Sequence, residues 1–376
     1  MSGLKAAGLI VAAGMSSRMG SFKPLLDLDG KPLICRTAES LLQGGAEQVA
    51  VVTGRNSAAV EQALTAYDNV TLLHNADYET TAMFDSIKLG LQQLRQYDAI
   101  LFLPGDVPCI RPETVRLLLQ QWQIQRPDVL YPLYPDADGQ PAQWHPPIIS
   151  GDLIPVLLQY DGPQGLKGAL AAFAQRVEQL PVPDAGCTMD ADYIEDYQKL
   201  CAYWPRRYYP NLADCQMFYQ LADTPEQVQQ HCIAVAQKAL ELGNALQQRG
   251  ISLNLELLES AALLHDICRT QANHAAAGAD FLRQYGLERA ADLVAVHMDW
   301  PTGQAVVLNE ASLLYIADKL VSGDGQVSLL ERFAQKERRY HDRPEILANI
   351  LQRKQIAVQI LDLLQQMGIT ATELVS

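Results

Sequence analysis

Between residue 5 and about residue 200 the chain alternates short apolar runs with stretches whose apolar positions recur at helical spacing. The runs are Leu9 to Ala13, Val49 to Thr53, Val70 to Leu73 and Ala99 to Leu103, followed in turn by helical patterns over 32–43, 57–66, 83–95 and 112–124. Strands separated by helices predict parallel crossovers and a doubly wound, mostly parallel, Rossmann-like α/β sheet. Ligands in such sheets gather at the carboxyl ends of the strands.

The pattern changes over 201–223, CAYWPRRYYPNLADCQMFYQLAD, where aromatic residues and two prolines break any regular period. This stretch is too aromatic to be well solvated and reads as a partly packed connector. Thr224-Pro225-Glu226-Gln227 then reads as an N-cap, a proline at the first helical position and a polar first turn. From there to the end the pattern is all-α, with no strand-like alternation. The expected organisation is residues 1–200, a connector over 201–223 and a helical domain over 224–376.

Length supports that division, because 376 residues exceed what one ordinary core organises. With 48% hydrophobic and 19% charged residues the chain has ample apolar surface for compact folding. The net charge is −14 and no Lys/Arg run exceeds a pair, which argues against nucleic acid as a partner. Anionic small molecules must therefore be met by locally placed cations or metals. Seven scattered cysteines without C-x-x-C spacing fit reduced thiols in a cytoplasm and argue against a disulfide frame or a structural zinc site. The apolar stretch Ala6 to Ala13 is too short for a signal peptide, and no segment approaches the length of a membrane span.

The candidate chemistry begins at residues 10–26, IVAAGMSSRMGSFKPLL. Gly14 and Gly20 permit a tight turn and close backbone approach, so main-chain N–H groups between them can face a triphosphate. Arg18 and Lys23 place positive charge where a departing pyrophosphate builds negative charge. Neither Gly-Lys-Ser/Thr nor G-x-G-x-x-G is present, which argues against a P-loop kinase or a dinucleotide-dependent dehydrogenase.

The segment VAAGMSSRMGSFKPLLDLDGKPL resembles the signature of the molybdenum-cofactor nucleotidyltransferases, over roughly residues 5–200. The resemblance implies that Ala12, Ala13, Gly14, Arg18 and Lys23 hold the nucleotide, with CTP favoured, and that Arg18 and Lys23 also act in catalysis. Asp106 lies in LFLPGDVP, where a Gly-Asp before Pro108 also makes an ordinary turn. The family carries its metal aspartate in the same Gly-Asp-x-Pro context, which implies that Asp106 is a catalytic Mg²⁺ ligand. The segment Asp190-Ala191-Asp192-Tyr193-Ile194-Glu195-Asp196 resembles the family's second carboxylate motif. Asp192 is favoured over Asp190 as the facing ligand, and helix capping is the alternative role for either.

Two departures leave the acceptor open. Ala82-Met83-Phe84-Asp85-Ser86 stands where the family has Gly-Met-x-x-Ser, and Gly139-Gln140-Pro141 where it has Gly-His-Pro. Lys167 stands where relatives often have Arg, a position that suits either phosphate contact or a solvated helix face.

In the second half, His231, the pair His265-Asp266 and Asp318 fall within helical patterns. Neighbouring helical residues point about 100° apart, so the pair can flank one ion only in a groove between helices, with further ligands from elsewhere. This order resembles the HD-domain phosphohydrolases over about residues 225–335, and implies one or two divalent metals on these four residues, with Asp266 catalytic. His274 in NHAAAGADFL and His297 in VAVHMDW match the segments of two-metal members. Arg269, two residues past Ile267, keeps a cation available for phosphate.

The expectation is a bifunctional cytoplasmic enzyme. One part transfers a nucleotidyl group from CTP or another NTP to a phosphorylated acceptor, molybdopterin cofactor foremost, using Mg²⁺; the other hydrolyses a phosphate ester or anhydride. A molybdoenzyme or a maturation factor would then be the protein partner. The alternatives are transfer to a phosphosugar or phosphoalcohol, with the HD part acting on that metabolite, and a non-catalytic cofactor-delivery or regulatory protein.

Overall fold

The computed structural model describes residues 3–14, 22–323 and 325–369. They group into two compact units that divide between Arg207 and Tyr208.

The first unit opens with β1 (Ala6–Ala12), α1 (Leu33–Gly44), β2 (Gln48–Thr53), α2 (Ser57–Leu64), β3 (Val70–His74), α3 (Met83–Gln93), β4 (Ala99–Pro104) and α4 (Pro112–Gln125). It continues with β5 (Val129–Pro135), β6 (Pro141–Gln143), β7 (Ile148–Ser150), α5 (Ile154–Gln159), α6 (Gly165–Phe173), β8 (Val177–Pro181) and α7 (Ile194–Tyr203). Every residue of β1 is buried. Ile10 and Ala12 pack into one core with Leu41, Val115 and Trp122, and Leu9 and Val11 into another with Ile87 and Leu91, so helices cover both faces. Gly45 ends α1 in the left-handed conformation at φ 116°, which turns the chain into β2.

The strand order is β3-β2-β1-β4-β7-β5-β6, with β8 beside β5. The first four strands are parallel, and the order reverses between β1 and β4. That reversal opens the crevice in which α/β sheets bind ligands. Beyond β4 the sheet departs from the simple repeat, since β7 is antiparallel to both β4 and β5, and β6 is antiparallel to β5.

A buried clamp fixes the segment that carries the second carboxylates. Asp184 accepts hydrogen bonds from the Arg111 N–H (2.9 Å), the Thr114 hydroxyl (2.6 Å) and the Gly186 N–H (3.1 Å). It also pairs with the buried Arg111 guanidinium at 3.4 Å and so caps α4 across the fold. A Cβ on Gly186 would lie 2.2 Å from the Cys109 carbonyl oxygen, so only glycine allows this approach. Asp184→Ala strands a buried guanidinium and is expected to cost about 3–5 kcal/mol. Thermal unfolding would show an early transition for the first unit, and an unchanged profile would contradict the clamp.

The second unit comprises α8 (Leu212–Leu221), α9 (Glu226–Gln248), α10 (Leu255–Leu264), α11 (His274–Arg283), α12 (Glu288–Val296) and α13 (Glu310–Leu320). A two-residue ribbon of β9 (Val321–Ser322) and β10 (Gly325–Gln326) follows, then α14 (Leu329–Arg339) and α15 (Pro344–Gln366). Apart from this short ribbon the described elements of the unit are helices, as the pattern predicts. Its core joins Phe218, Leu242, Leu258, Val294, Leu313 and Ile360.

The aromatic stretch 201–223 is largely helical; Trp204, Met217, Phe218 and Tyr219 are buried, and Tyr203, Tyr208 and Tyr209 are half-buried. Trp204 packs under Arg207, 3.6 Å from the ring centroid, while Phe218 and Tyr219 enter the core of the second unit. Thr224 is not the N-cap of α9. Its hydroxyl donates to the Ile267 carbonyl at 2.8 Å, and Pro225 occupies the capping position. No described helix is long and apolar enough to cross a membrane.

Two candidate active sites

The first site lies at the strand-order reversal. Ala12 closes β1 and leads into Ala13 and Gly14, while the Gly105 N–H donates to the Val11 carbonyl at 3.0 Å and brings Asp106 alongside. A cavity of about 260 Å³ is bounded on this side by Ala12, Ala13, Gly14, Lys23, Asp106 and Asp192. Tyr78, Thr81 and Ser86 face it from the amino-terminal side of α3. Arg18 and Gly20 lie outside the described residues.

Lys23 sits between the two carboxylates, 2.6 Å from Asp192 and 3.2 Å from Asp106. Burial works against its charge, but the two anions outweigh it and raise the ammonium above its ordinary value. Asp190 does not make this contact. Burial and then the fields of Asp106 and Asp192 push its carboxyl upward. Capping of α7 belongs to neither of these residues, since Asp196 accepts from the Tyr193 N–H at 3.1 Å. Two carboxylates distant in sequence thus converge on one cation, as a shared divalent ion requires.

Gly139-Gln140-Pro141 is an exposed turn leading into β6. A histidine-proline pair stands instead at His145-Pro146, ahead of β7. The His145 ring packs edge-on to Phe102 at 6.0 Å, and its Nδ1 is sealed from solvent without a hydrogen-bond partner among the described residues. Burial lowers its pKa while Asp106 opposes that shift, which places it within reach of the site's charge. The signal was the His-Pro-Pro run before Ile148-Ile149. Lys167 is exposed on α6 and does not border the cavity.

The second site is assembled from five helices or their ends. His231 projects from α9, His265 and Asp266 follow α10, His274 begins α11, His297 follows α12 and Asp318 lies on α13. The Nδ1–H of His265 donates to Ala262 O at 2.8 Å, and that of His297 to Val294 O at 2.7 Å. These bonds fix both tautomers and leave each Nε2 as a lone pair. Both Nε2 atoms are buried and have no hydrogen-bond partner among the described residues.

The carboxylates meet these nitrogens. Asp266 Oδ1 lies 3.1 Å from His274 Nε2 and 3.4 Å from His297 Nε2, and Oδ2 lies 3.7 Å from His265 Nε2. Asp318 Oδ1 lies 3.3 Å from His231 Nε2 and 3.8 Å from His265 Nε2. His265 is therefore shared by two groups, His231/His265/Asp318 and His265/Asp266/His297, whose ligand atoms all fall within 4.8 Å of one another.

Burial pushes His265 down to about 4, so near neutrality its imidazole is uncharged. Burial opposes charge on Asp266 and Asp318 as well. Even so, His274 and His297 hold the first, and Lys319 and His231 the second, well below the usual carboxylate range. Lys319, absent from the sequence reading, orients Asp318 by donating to Oδ2 at 3.0 Å and to the His297 carbonyl at 2.7 Å. Imidazole nitrogens without hydrogen-bond partners among the described residues, facing two carboxylates, are a donor set that fits one or two divalent ions. The adjoining cleft measures about 1030 Å³.

Comparison with known proteins assigns both parts to families. Residues 8–179 match the MobA-like NTP transferase domain and residues 228–323 match the HD domain, so the chain combines a MobA-like NTP transferase domain with an HD domain. The molybdenum cofactor cytidylyltransferase of Escherichia coli (strain K12) is 26% identical over 133 residues, covering 35% of this chain and 66% of that protein. Bifunctional protein GlmU of Cellvibrio japonicus (strain Ueda107) is 33% identical over 133 residues, covering 35% of this chain and 29% of that protein. The match thus spans less than two thirds of either relative. The crystal structure of Rv0371c from Mycobacterium tuberculosis H37Rv is similar at 24% identity and a TM-score of 0.45, covering 53% of this chain and 98% of that one.

Proposed function

We propose that the chain is a bifunctional enzyme whose first unit transfers a nucleotidyl group from CTP to a phosphorylated acceptor, molybdopterin cofactor foremost. The observation that carries this is the convergence of Asp106 and Asp192 on the Lys23 ammonium at the strand-order reversal. An acceptor phosphate oxygen bonds the α-phosphorus, the bond from that phosphorus to the β-phosphate bridging oxygen breaks, and pyrophosphate leaves. Mg²⁺ held by Asp106 and Asp192 would supply charge stabilisation and alignment for this in-line displacement. Ala12, Ala13 and Gly14 give the nucleotide a close main-chain wall, and Lys23, with Arg18, counters charge on the departing pyrophosphate. The choice of CTP and of the molybdenum cofactor is supported by the name of the Escherichia coli relative.

The second unit, in this reading, hydrolyses a phosphate ester or anhydride. His231, His265, Asp266, His297 and Asp318, with His274 beside them, would hold one or two divalent ions that activate water. Seven free cysteines support a reducing, cytoplasmic setting, and a molybdoenzyme or maturation factor would receive the product. The test is pyrophosphate release from each of the four NTPs with purified acceptors. Release is expected with CTP and molybdopterin cofactor; release only with phosphosugars or phosphoalcohols would overturn the acceptor assignment.

A further inference from the structure

The cleft beside the histidine cluster extends beyond the segment that matches the HD domain. Its far wall is built by α14 and α15, after residue 323. Arg332, Lys336 and Tyr340 recur at a spacing of four, which aligns them along one face of α14 and its end. Arg332 stands at the metal-ligand end, where its Nη1 donates to the carbonyl of Asp318 at 2.6 Å and to that of Val321. Carbonyl partners satisfy donors without cancelling the guanidinium charge.

Lys336 is exposed into the cleft, and no hydrogen bond or ion pair engages its ammonium among the described residues. The stem of Lys336 packs along the cleft wall beside Arg332, and partial desolvation and that neighbouring guanidinium push its pKa down while the carboxylate of Asp318 opposes the shift. Beyond it lies an apolar annex of about 260 Å³, bounded by Tyr340, Ile346 and Ile350, which shares Phe333, Lys336 and Arg353 with the main cleft. Eight helical residues separate the first rung from the last, about 12 Å along the axis. Metal ligands, two cations and an aromatic annex therefore follow one another in a line.

We propose that α14 and α15 form the recognition arm of the hydrolytic site and that its ligand is a nucleoside diphosphate or a higher homologue. This inference rests on the hydrolytic reading of the second unit and names its substrate class. The base lies against Tyr340, Ile346 and Ile350, the retained phosphate on Lys336 and Arg332, and the terminal phosphate at the histidine cluster. In hydrolysis a water oxygen bonds the terminal phosphorus and the bond to the bridging oxygen breaks. A nucleoside diphosphate then yields the monophosphate, orthophosphate and one proton. Pyrophosphate alone would leave the annex unfilled.

The test uses the full chain carrying Lys23→Ala and Asp106→Ala, which weakens nucleotide binding at the first unit. Binding of cytidine diphosphate bearing a ribose-linked fluorophore is measured with and without the further changes Lys336→Ala and Tyr340→Ala, with metal content as the check on folding. Each further change is expected to weaken binding at least tenfold, and inorganic pyrophosphate to compete at least tenfold less well than unlabelled cytidine diphosphate. Affinity unchanged within twofold in both variants, or equal competition by pyrophosphate, would overturn the proposal. Binding that depends on Lys336 and Tyr340 without phosphate release in any divalent metal would sink the hydrolytic reading while leaving the recognition arm standing.

Discussion

Asp106→Ala is expected to reduce pyrophosphate release from CTP by at least about a hundredfold, the scale of losing one preorganised electrostatic contact to a transition state. The side chain is mostly buried at the end of β4 and shares the Lys23 ammonium with Asp192. Without it the ammonium is drawn to Asp192 alone, and a divalent ion loses one of its two carboxylates. Asp106→Asn keeps the shape and removes the charge, so the two variants should fail alike. Initial rates at saturating CTP and Mg²⁺ provide the check; a loss under twofold would show that Asp106 serves only as a turn residue before Pro108.

The second large effect is expected from Asp266→Ala, which removes the carboxylate that faces His265, His274 and His297 together. Loss of a hydrogen-bonding partner outside the ligand shell commonly costs 10–100-fold in metal affinity, so losing a ligand should cost at least about a hundredfold. Phosphate release should fall with metal occupancy. His265→Ala is expected to be as severe, because that imidazole belongs to both groups of ligand atoms. Metal content after dialysis and phosphate release on readdition of divalent ions report the two effects separately. Full metal retention by both variants would show that the buried imidazoles are ordinary core residues.

The first four strands and four helices were legible because parallel strands buried on both faces read as unbroken apolar runs. Residues 49–53 and 99–103 fall inside β2 and β4, and 112–124 spans nearly the whole of α4. The antiparallel part was not legible. Pro132 and Pro135 interrupt β5, β6 and β7 have three residues each, and β8 alternates exposed with half-buried positions, so none yields an apolar run. The His/Asp order of the second unit stood out because charged and imidazole groups inside apolar helices demand partners. Lys319 was hidden beside Asp318. Arg332 and Lys336 were hidden for another reason: α14, LLERFAQKERR, is so rich in charge that its face reads as solvated. The position of His145 depends on the turn at 136–140, whose length no periodicity reports.

Two separate chemistries on one chain can be tested by assaying pyrophosphate release and orthophosphate release on the same three proteins: the unaltered chain, Asp106→Ala and Asp266→Ala. The expected result is a crossed pattern, with Asp106→Ala losing only pyrophosphate release and Asp266→Ala losing only orthophosphate release. Loss of both signals in either variant, or of neither in both, would contradict two independent sites.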